Sequence, residues 1–410
     1  MEKEKQLIPQ LRFPEFEGEW EKVIISEIAD KITDGTHDTP KPIKEGIPFL
    51  TAIHVKDGNI AFDNCYYLSE EEHNKIYKRC NPEFGDLLMV NIGAGTATSA
   101  MVNVNHEFSL KNVALIKPNK TKIYTKFFAQ IQRKNSDRLR HQISSGGAQP
   151  FLSLKAIGKL KLNIPQLPEQ QKIASFLTAI DTKITKLTKK KDLLAQYKKG
   201  VMQKIFKQEL RFKDDNGNDF TDWEEKQLRD IANYRRGSFP QPYGLPKWYD
   251  KVNGTPFVQV YDVGNNMLLK PSTKHKISAL GSEQSVFVAK GTIIITIQAS
   301  IGRIAKTQYD SYVDRTLLIF QSYKIPLNLD YFKYVLFLLF EIEKRKAPGG
   351  IIKTITKEVL SSFNVMLPSI EEQTKIANFL SAIDLKIEAL NTKIENSKTF
   401  KKGLLQQMFV

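Results

Sequence analysis

The segment from Pro165 to Phe206 is written a second time from Pro368 to Phe409, and both of its ends recur 203 residues later. Lys172-Ile173-Ala174, Phe176-Leu177, Ala179-Ile180-Asp181, Lys183-Ile184 and Leu187 return as Lys375-Ile376-Ala377, Phe379-Leu380, Ala382-Ile383-Asp384, Lys386-Ile387 and Leu390. Trp20, Ile28 and Ala29 recur at the same offset as Trp223, Ile231 and Ala232. A period this long describes duplicated domains rather than a solenoid of small units, and two copies in one chain imply approximate two-fold symmetry. Between these markers the copies drift. Gly46, Pro48 and Phe49 answer to Gly254, Pro256 and Phe257, and Gly85 and Gly95 to Gly291 and Gly302; Gly146-Gly147 and Gly349-Gly350 then restore the offset. Each half therefore holds a variable globular part and a near-constant tail.

In the tails, Ile173, Leu177, Ile180, Ile184, Leu187, Leu194, Val201 and Ile205 fall on steps of three and four or their sums. The second copy repeats this with Ile376, Leu380, Ile383, Ile387, Leu390, Ile394, Leu404 and Met408. This is a coiled-coil seam, interrupted by Lys191 and Lys198 in one copy and by Ser397 and Lys401 in the other. Pro165, Pro168 and Pro368 sit where a helix begins but does not continue. A helix of roughly 38 residues is about 57 Å long at ~1.5 Å per residue. Two apolar stripes on one chain are most economically buried against each other, and two-fold symmetry makes them antiparallel. Two readings stay open at this point: a spacer that holds two DNA-reading modules a helical turn or more apart, and a coiled coil that serves dimerisation alone.

The globular parts carry short β-branched runs bounded by turns, namely Pro48-Phe49-Leu50, Asp86 to Val90 and Gly291 to Ile297. Helices are predicted near Thr125 to His141 and Asp330 to Arg345. The fold class is α+β: two tandem mixed α/β domains, each followed by a long helix, with the helices packed as an antiparallel coiled coil of pseudo-two-fold symmetry. The boundaries drawn are 1–164, 165–208, 209–366 and 367–410. A formal charge of +16 over 410 residues tilts the function toward nucleic acid. Cys65 and Cys80 form no redox or metal spacing, so a reducing compartment and free thiols are expected. The charged start at Met1 does not read as a signal peptide, and the apolar run Tyr334 to Phe340 is too short to span a bilayer. The expected location is cytoplasmic.

No stretch assembles an active site. Asn81-Pro82-Glu83-Phe84 has no glycine-rich cofactor loop beside it and reads as a turn before Gly85. Gly93-Ala94-Gly95 is too short for a dinucleotide fingerprint. Asp214 or Asp215 with Glu224-Glu225-Lys226 offers the carboxylates and lysine of metal-assisted cleavage. That stretch lies beside a repeated tryptophan, which points to packing instead. The six histidines have no paired zinc spacing, and only His37 and His141 fall in loops of interest.

Pro165-Gln166-Leu167-Pro168-Glu169-Gln170-Gln171-Lys172-Ile173-Ala174 and Leu367-Pro368-Ser369-Ile370-Glu371-Glu372-Gln373-Thr374-Lys375-Ile376-Ala377 resemble the signature entering the spacer helices of type I restriction-modification specificity subunits. Arg12-Phe13-Pro14-Glu15-Phe16 with Trp20, and the loop Asp34 to Pro40, resemble that family too, so the likeness covers nearly the whole chain. The resemblance implies a non-catalytic subunit whose two target-recognition domains each read half of a bipartite, gapped site in double-stranded DNA. It also implies two spacer helices that bind two methyltransferase subunits, with restriction and translocase subunits joining the full complex. S-adenosylmethionine, ATP and Mg then belong to those partners, and this chain holds no cofactor and no metal. On the helices, the partner-binding or spacer candidates are Pro165, Glu169, Gln170, Ile173, Phe176 and Asp181, with Pro368, Glu372, Gln373, Ile376, Phe379 and Asp384 in the second copy.

Identical loops would read identical half-sites, so base contacts are expected where the copies differ. Thr36 and His37 stand against Arg235, Arg236 and Ser238; Thr51 and His54 against Gln259 and Tyr261; Thr96 against Gln298, Ser300 and Arg303. Arginine grips guanine bidentately, and glutamine does so with adenine. Arg133, Lys134, Arg138, Arg140 and His141, with Lys344, Arg345 and Lys346, are expected to meet phosphates, which position the protein without reading sequence. Two other functions remain to be tested against this one: a stand-alone DNA-modifying enzyme, and a coiled-coil protein that binds nucleic acid nonspecifically through charge.

Overall fold

The computed structural model describes residues 6–93, 95–144, 150–346 and 357–410. Gly146-Gly147, Gly349-Gly350 and Ala94 lie outside the described residues. The chain forms two compact units, Met1–Lys189 with Asn391–Val410, and Lys190–Leu390. Each unit therefore combines one globular part with stretches of both long helices.

In the first unit, strands Ala29–Asp34, Val113–Pro118, Leu87–Val90 and Ser99–Met101 form an antiparallel sheet in that spatial order. Leu87 to Val90 is a continuous apolar run because both faces of the strand are buried. Leu87 and Met89 enter a core with Phe127 and Phe128 of helix Thr125–Ser144; Leu88 and Val90 enter a second core with Leu50 and Leu110. Truncating such a side chain to alanine costs about 2–5 kcal/mol. Leu50 and Leu110 belong to a smaller sheet ordered Tyr66–Leu68, Ile47–Leu50, Ser109–Leu110, its last strand parallel to the middle one. Gly35 links the two sheets. A Cβ there would lie 2.0 Å from the Leu110 carbonyl oxygen, so only glycine fits.

The second unit repeats the plan. Ala232–Arg236, Leu317–Tyr323, Ile293–Thr296 and Ile304–Lys306 form the larger sheet in that order. Ile293 and Ile295 enter the core shared with helix Leu329–Lys346, and Ile294 enters the other. The smaller sheet is ordered His275–Ile277, Thr255–Val258, Ser311–Val313, Val286–Val288. Gly237 repeats the Gly35 link, with a Cβ position 2.3 Å from the Val313 carbonyl oxygen. The predicted helices and strand runs are all present. The expected turn at Glu83 to Asp86 is closed by Asp86 N–H on Glu83 O at 3.0 Å, with Gly85 at φ +94°.

The long helices are Leu167–Phe206 and Ile370–Gln407. In the first unit, Ile173 and Leu177 share a core with Leu404 and Met408, and Asp181 meets Lys401. Partner numbers fall as helix numbers rise, so these stretches run antiparallel. In the second unit, Met202 and Ile205 share a core with Ile376 and Leu380, and Lys198 meets Asp384. Two of the seam interruptions thus have an internal purpose. Lys401 is buried, and its Nζ donates to both Asp181 oxygens at 2.7 Å. Burial drives its pKa down, against the pull of Asp181. Lys198 donates to Asp384 Oδ1 at 2.5 Å, and the Tyr334 hydroxyl donates to Asp384 Oδ2 at 2.6 Å. Cys65 and Cys80 are free and buried; burial pushes the Cys80 thiol up to about 12.

Candidate nucleic-acid interface

A helix entering a domain leaves backbone donors that need acceptors, and here two side chains of each tail motif meet the domain instead. Glu169 is buried and accepts from Arg12 Nε at 2.8 Å, Arg12 Nη2 at 2.7 Å and Trp20 Nε1 at 3.3 Å. Glu372 repeats this with Arg211 Nε at 3.2 Å, Arg211 Nη2 at 2.8 Å and Trp223 Nε1 at 3.1 Å. The neighbouring glutamines bridge as well. Gln170 accepts from Tyr124 N and donates to Pro165 O; Gln373 accepts from Asn328 N and donates to Pro368 O.

Pro165, Glu169, Gln170, Ile173, Pro368, Glu372, Gln373 and Ile376 are therefore buried where helix meets domain. Asp181 and Asp384 are likewise bonded within their units. Phe379 packs on Phe212 at 5.6 Å, whereas Phe176 keeps more than a third of its surface while resting on Phe13.

The backbone frames match from unit to unit at the tips of the sheets, and the side chains do not. Thr51 N donates to His54 Nδ1 at 3.0 Å, closing a short turn; Gln259 N closes the same turn on Asp262 Oδ2 at 2.9 Å. Burial pushes the Asp262 carboxyl up, while the N–H groups of Gln259 and Lys274 pull it back. His54 thus corresponds to Asp262, and Ile53 to Tyr261, a pairing that differs from the expected His54 and Tyr261. Phe49 pairs with Tyr66 as Phe257 pairs with His275. Val90 pairs with Val113 as Thr296 pairs with Leu317. Ile92 hence corresponds to Gln298, and Lys111-Asn112 to Arg315-Thr316.

In the first unit these positions enclose a recess of about 440 Å³ lined by Phe49, Ile53, Tyr66, Ile92, Lys111 and Asn112 among others. Ile53 is 68% exposed and Tyr66 54%, large values for apolar side chains gathered at one spot. His37 stands at the rim, with Nδ1 2.9 Å from Asn112 Oδ1 and Nε2 3.0 Å from Asp34 Oδ2. In the second unit Phe257 repeats Phe49, while the positions of Ile53 and Ile92 carry Tyr261 and Gln298. Gln298 and Arg315 are exposed, Arg315 lies 5.9 Å over the Tyr243 ring, and the Tyr261 hydroxyl donates to Gln259 Oε1.

The remaining candidates divide by what holds them. Thr96 is buried and donates to the carbonyls of Gly93 and Pro150, so it offers no free edge. His54 and Gln259 are buried too. Arg303 is not the counterpart of Thr96. Its carbonyl accepts from Thr296 N as the carbonyl of Thr98 does from Val90 N, and Gly302 accordingly matches Ala97 rather than Gly95. Thr36 accepts from Asp38 N, Ser238 donates to the Gln284 carbonyl, and Thr296 Oγ1 donates to Ser300 O at 2.5 Å. Arg235 folds onto the Arg236 carbonyl, and Arg236 is exposed.

Among the basic clusters, Arg133 pairs with Asp57, Lys134 donates to Phe409 O, Arg140 donates to Thr98, Lys344 pairs with Glu341 and Lys346 with Glu343. Arg138, His141 and Arg345 are exposed. Residue spacing alone missed Ile53, Tyr66, Ile92, Lys111, Asn112, His275, Arg315 and Thr316. The signal was a shift of offset within each half that only strand register resolves.

Among the described residues no group of three or more His, Cys, Asp or Glu side chains is arranged to hold a metal, and no helix is long and apolar enough to cross a membrane. The sequence matches the type I restriction modification DNA specificity domain twice, over residues 17–195 and 221–397. It is 26% identical over 407 residues to a putative type I restriction enzyme MjaX specificity subunit of Methanocaldococcus jannaschii, covering 95% of this chain and 93% of that one. Its fold is similar to the type I restriction-modification S subunit of M. genitalium, with a TM-score of 0.64 at 14% identity over 98% of this chain and 99% of that one. It is also similar to a chain in a structure describing complex assembly and conformational transition of a type I R-M system, with a TM-score of 0.52 at 17% identity over 94% and 96% of the two chains.

Proposed function

The chain belongs to the type I restriction modification DNA specificity family, and on that premise we propose that it reads a bipartite, gapped DNA site with its two unlike domains while performing no chemistry itself. The observation that carries this is the pairing of a repeated frame with divergent tips: the same turn, strand register and glycine link support Ile53, Ile92 and Asn112 in one unit and Tyr261, Gln298 and Thr316 in the other. Folding needs the frame, so the divergence is free to serve recognition. The long helices scaffold two methyltransferase subunits, one for each copy of the repeat, and through them restriction and translocase subunits. Extrusion of the target base falls to the methyltransferases, which need it out of the stack. S-adenosylmethionine, ATP and Mg act in those partners, and the complex works in the cytoplasm.

The test is to co-express the chain with its methyltransferase subunit in a methylation-free host and map modified adenines by single-molecule sequencing. A gapped, asymmetric motif that disappears without this chain is the expected result. Methylation or cleavage by the purified chain alone would support a stand-alone enzyme. DNA binding with a steep salt dependence and no sequence preference would support a nonspecific coiled-coil protein.

A further inference from the structure

From the chemistry of its walls, we propose that the first-unit recess recognises a T·A base pair through the thymine C5-methyl group, whereas the second unit reads its half-site by hydrogen bonds without methyl dependence. The inference rests on the reading of both units as DNA-recognition domains. The recess of about 440 Å³ admits the edge of a base pair. Phe49, Ile53, Tyr66 and Ile92 form the apolar part of a lining that also holds Thr39, Thr51, Lys111 and Asn112, and Ile53 is 68% exposed.

In the major groove only thymine offers an apolar group, and side-chain apolar contact is how that methyl is read. Asn112 stands beside this wall in a left-handed conformation (φ +53°), positioned by His37 at 2.9 Å and adjacent to Val113 in the sheet. An asparagine amide matches adenine N6 and N7, so methyl and amide together specify one base pair. At the corresponding positions the second unit carries Tyr261, Gln298, Arg315 and Thr316 in place of Ile53, Ile92, Lys111 and Asn112. Glutamine and arginine are hydrogen-bonding readers of adenine and guanine.

The experiment uses the complex of the full chain with its methyltransferase subunit and duplexes carrying the mapped motif. Each thymine of either half-site is replaced in turn by uracil, which removes only the methyl group. One thymine position in one half-site should lose about four-fold in affinity, the worth of one buried methyl-sized group. Ile53→Ala, at an exposed position that leaves folding intact, should abolish that uracil penalty and leave the other half-site's preferences unchanged. Full affinity for every uracil duplex would overturn the inference while the gapped motif stands. A uracil penalty that persists in Ile53→Ala would overturn it too. Loss of the motif itself would instead bring down the reading of the chain as a specificity subunit.

Discussion

The helix roots of the two units are nearly interchangeable, and the tips of their sheets are not. At the roots, one glutamate accepts from an arginine fork and a tryptophan N–H in each copy, with bond lengths that differ by no more than 0.4 Å. At the tips, Ile53 and Ile92 line a recess in the first unit, while tyrosine and glutamine occupy the same backbone positions in the second. A buried carboxylate tolerates one solution, because its charge must be matched inside the protein. An exposed tip has no such constraint, so it is free to differ between two half-sites.

The largest expected effect tests the sameness of the roots. Glu169→Ala and Glu372→Ala each strand an arginine and a tryptophan donor, at about 3–5 kcal/mol. Urea midpoints of the intact chain should fall by similar amounts in both variants, and a two-fold disparity would break the equivalence.

Next come the charged layers between the helices. Asp181→Ala leaves Lys401 buried without its counter-charge and should cost about 3 kcal/mol, whereas Lys401→Met should be close to neutral. Equal losses would mean that the lysine reaches water more readily than its burial implies.

Sharper on the recognition side, Arg303→Ala should relax one half-site by about 1–3 kcal/mol of discrimination and leave the other intact. Equal relaxation of both halves in a methylation map would argue against domain-wise reading. A smaller effect concerns the matched turns. His54→Asp imports the second unit's solution and should restore most of the roughly 1 kcal/mol lost in His54→Ala, as read by thermal unfolding.

The smallest effect is acid-dependent. Desolvation works to raise the Asp330 carboxyl, but Lys306 and Lys333 outweigh it and hold it below its ordinary value. Its contribution is therefore present above the unfolded pKa and lost as pH falls through the lowered one. Asp330→Asn should flatten the acid limb of the stability profile between about pH 5 and pH 2, and an unchanged limb would show the ion pairs to be idle.

Much of the scaffold was legible along the chain. The runs at Leu87 and Ile293 read as strands because buried strands carry β-branched and aliphatic residues without a break, and the seam at Ile173 and Ile376 announced its helices by spacing. Glu169 and Glu372 gave no sign of burial along the chain, since nothing local tells a buried carboxylate from an exposed one. Their partners, Arg12 and Arg211, lie more than 150 residues away. Thr96 looked polar and available, but it faces two carbonyls brought there by the chain's return at Pro150.

By itself the sequence determined the duplication, the class of fold and the helical tails, because each of these is a pattern of period and repetition that needs no coordinates; the family came from the resemblance of its motifs. Tertiary structure alone decided which lysines of the seam are buried with a counter-charge, which motif residues are joints, and which positions of the two copies correspond. The reason is that register across a sheet and proximity across a core depend on chain returns of unequal length, and an offset counted along the chain loses its meaning wherever a loop gains or loses a residue.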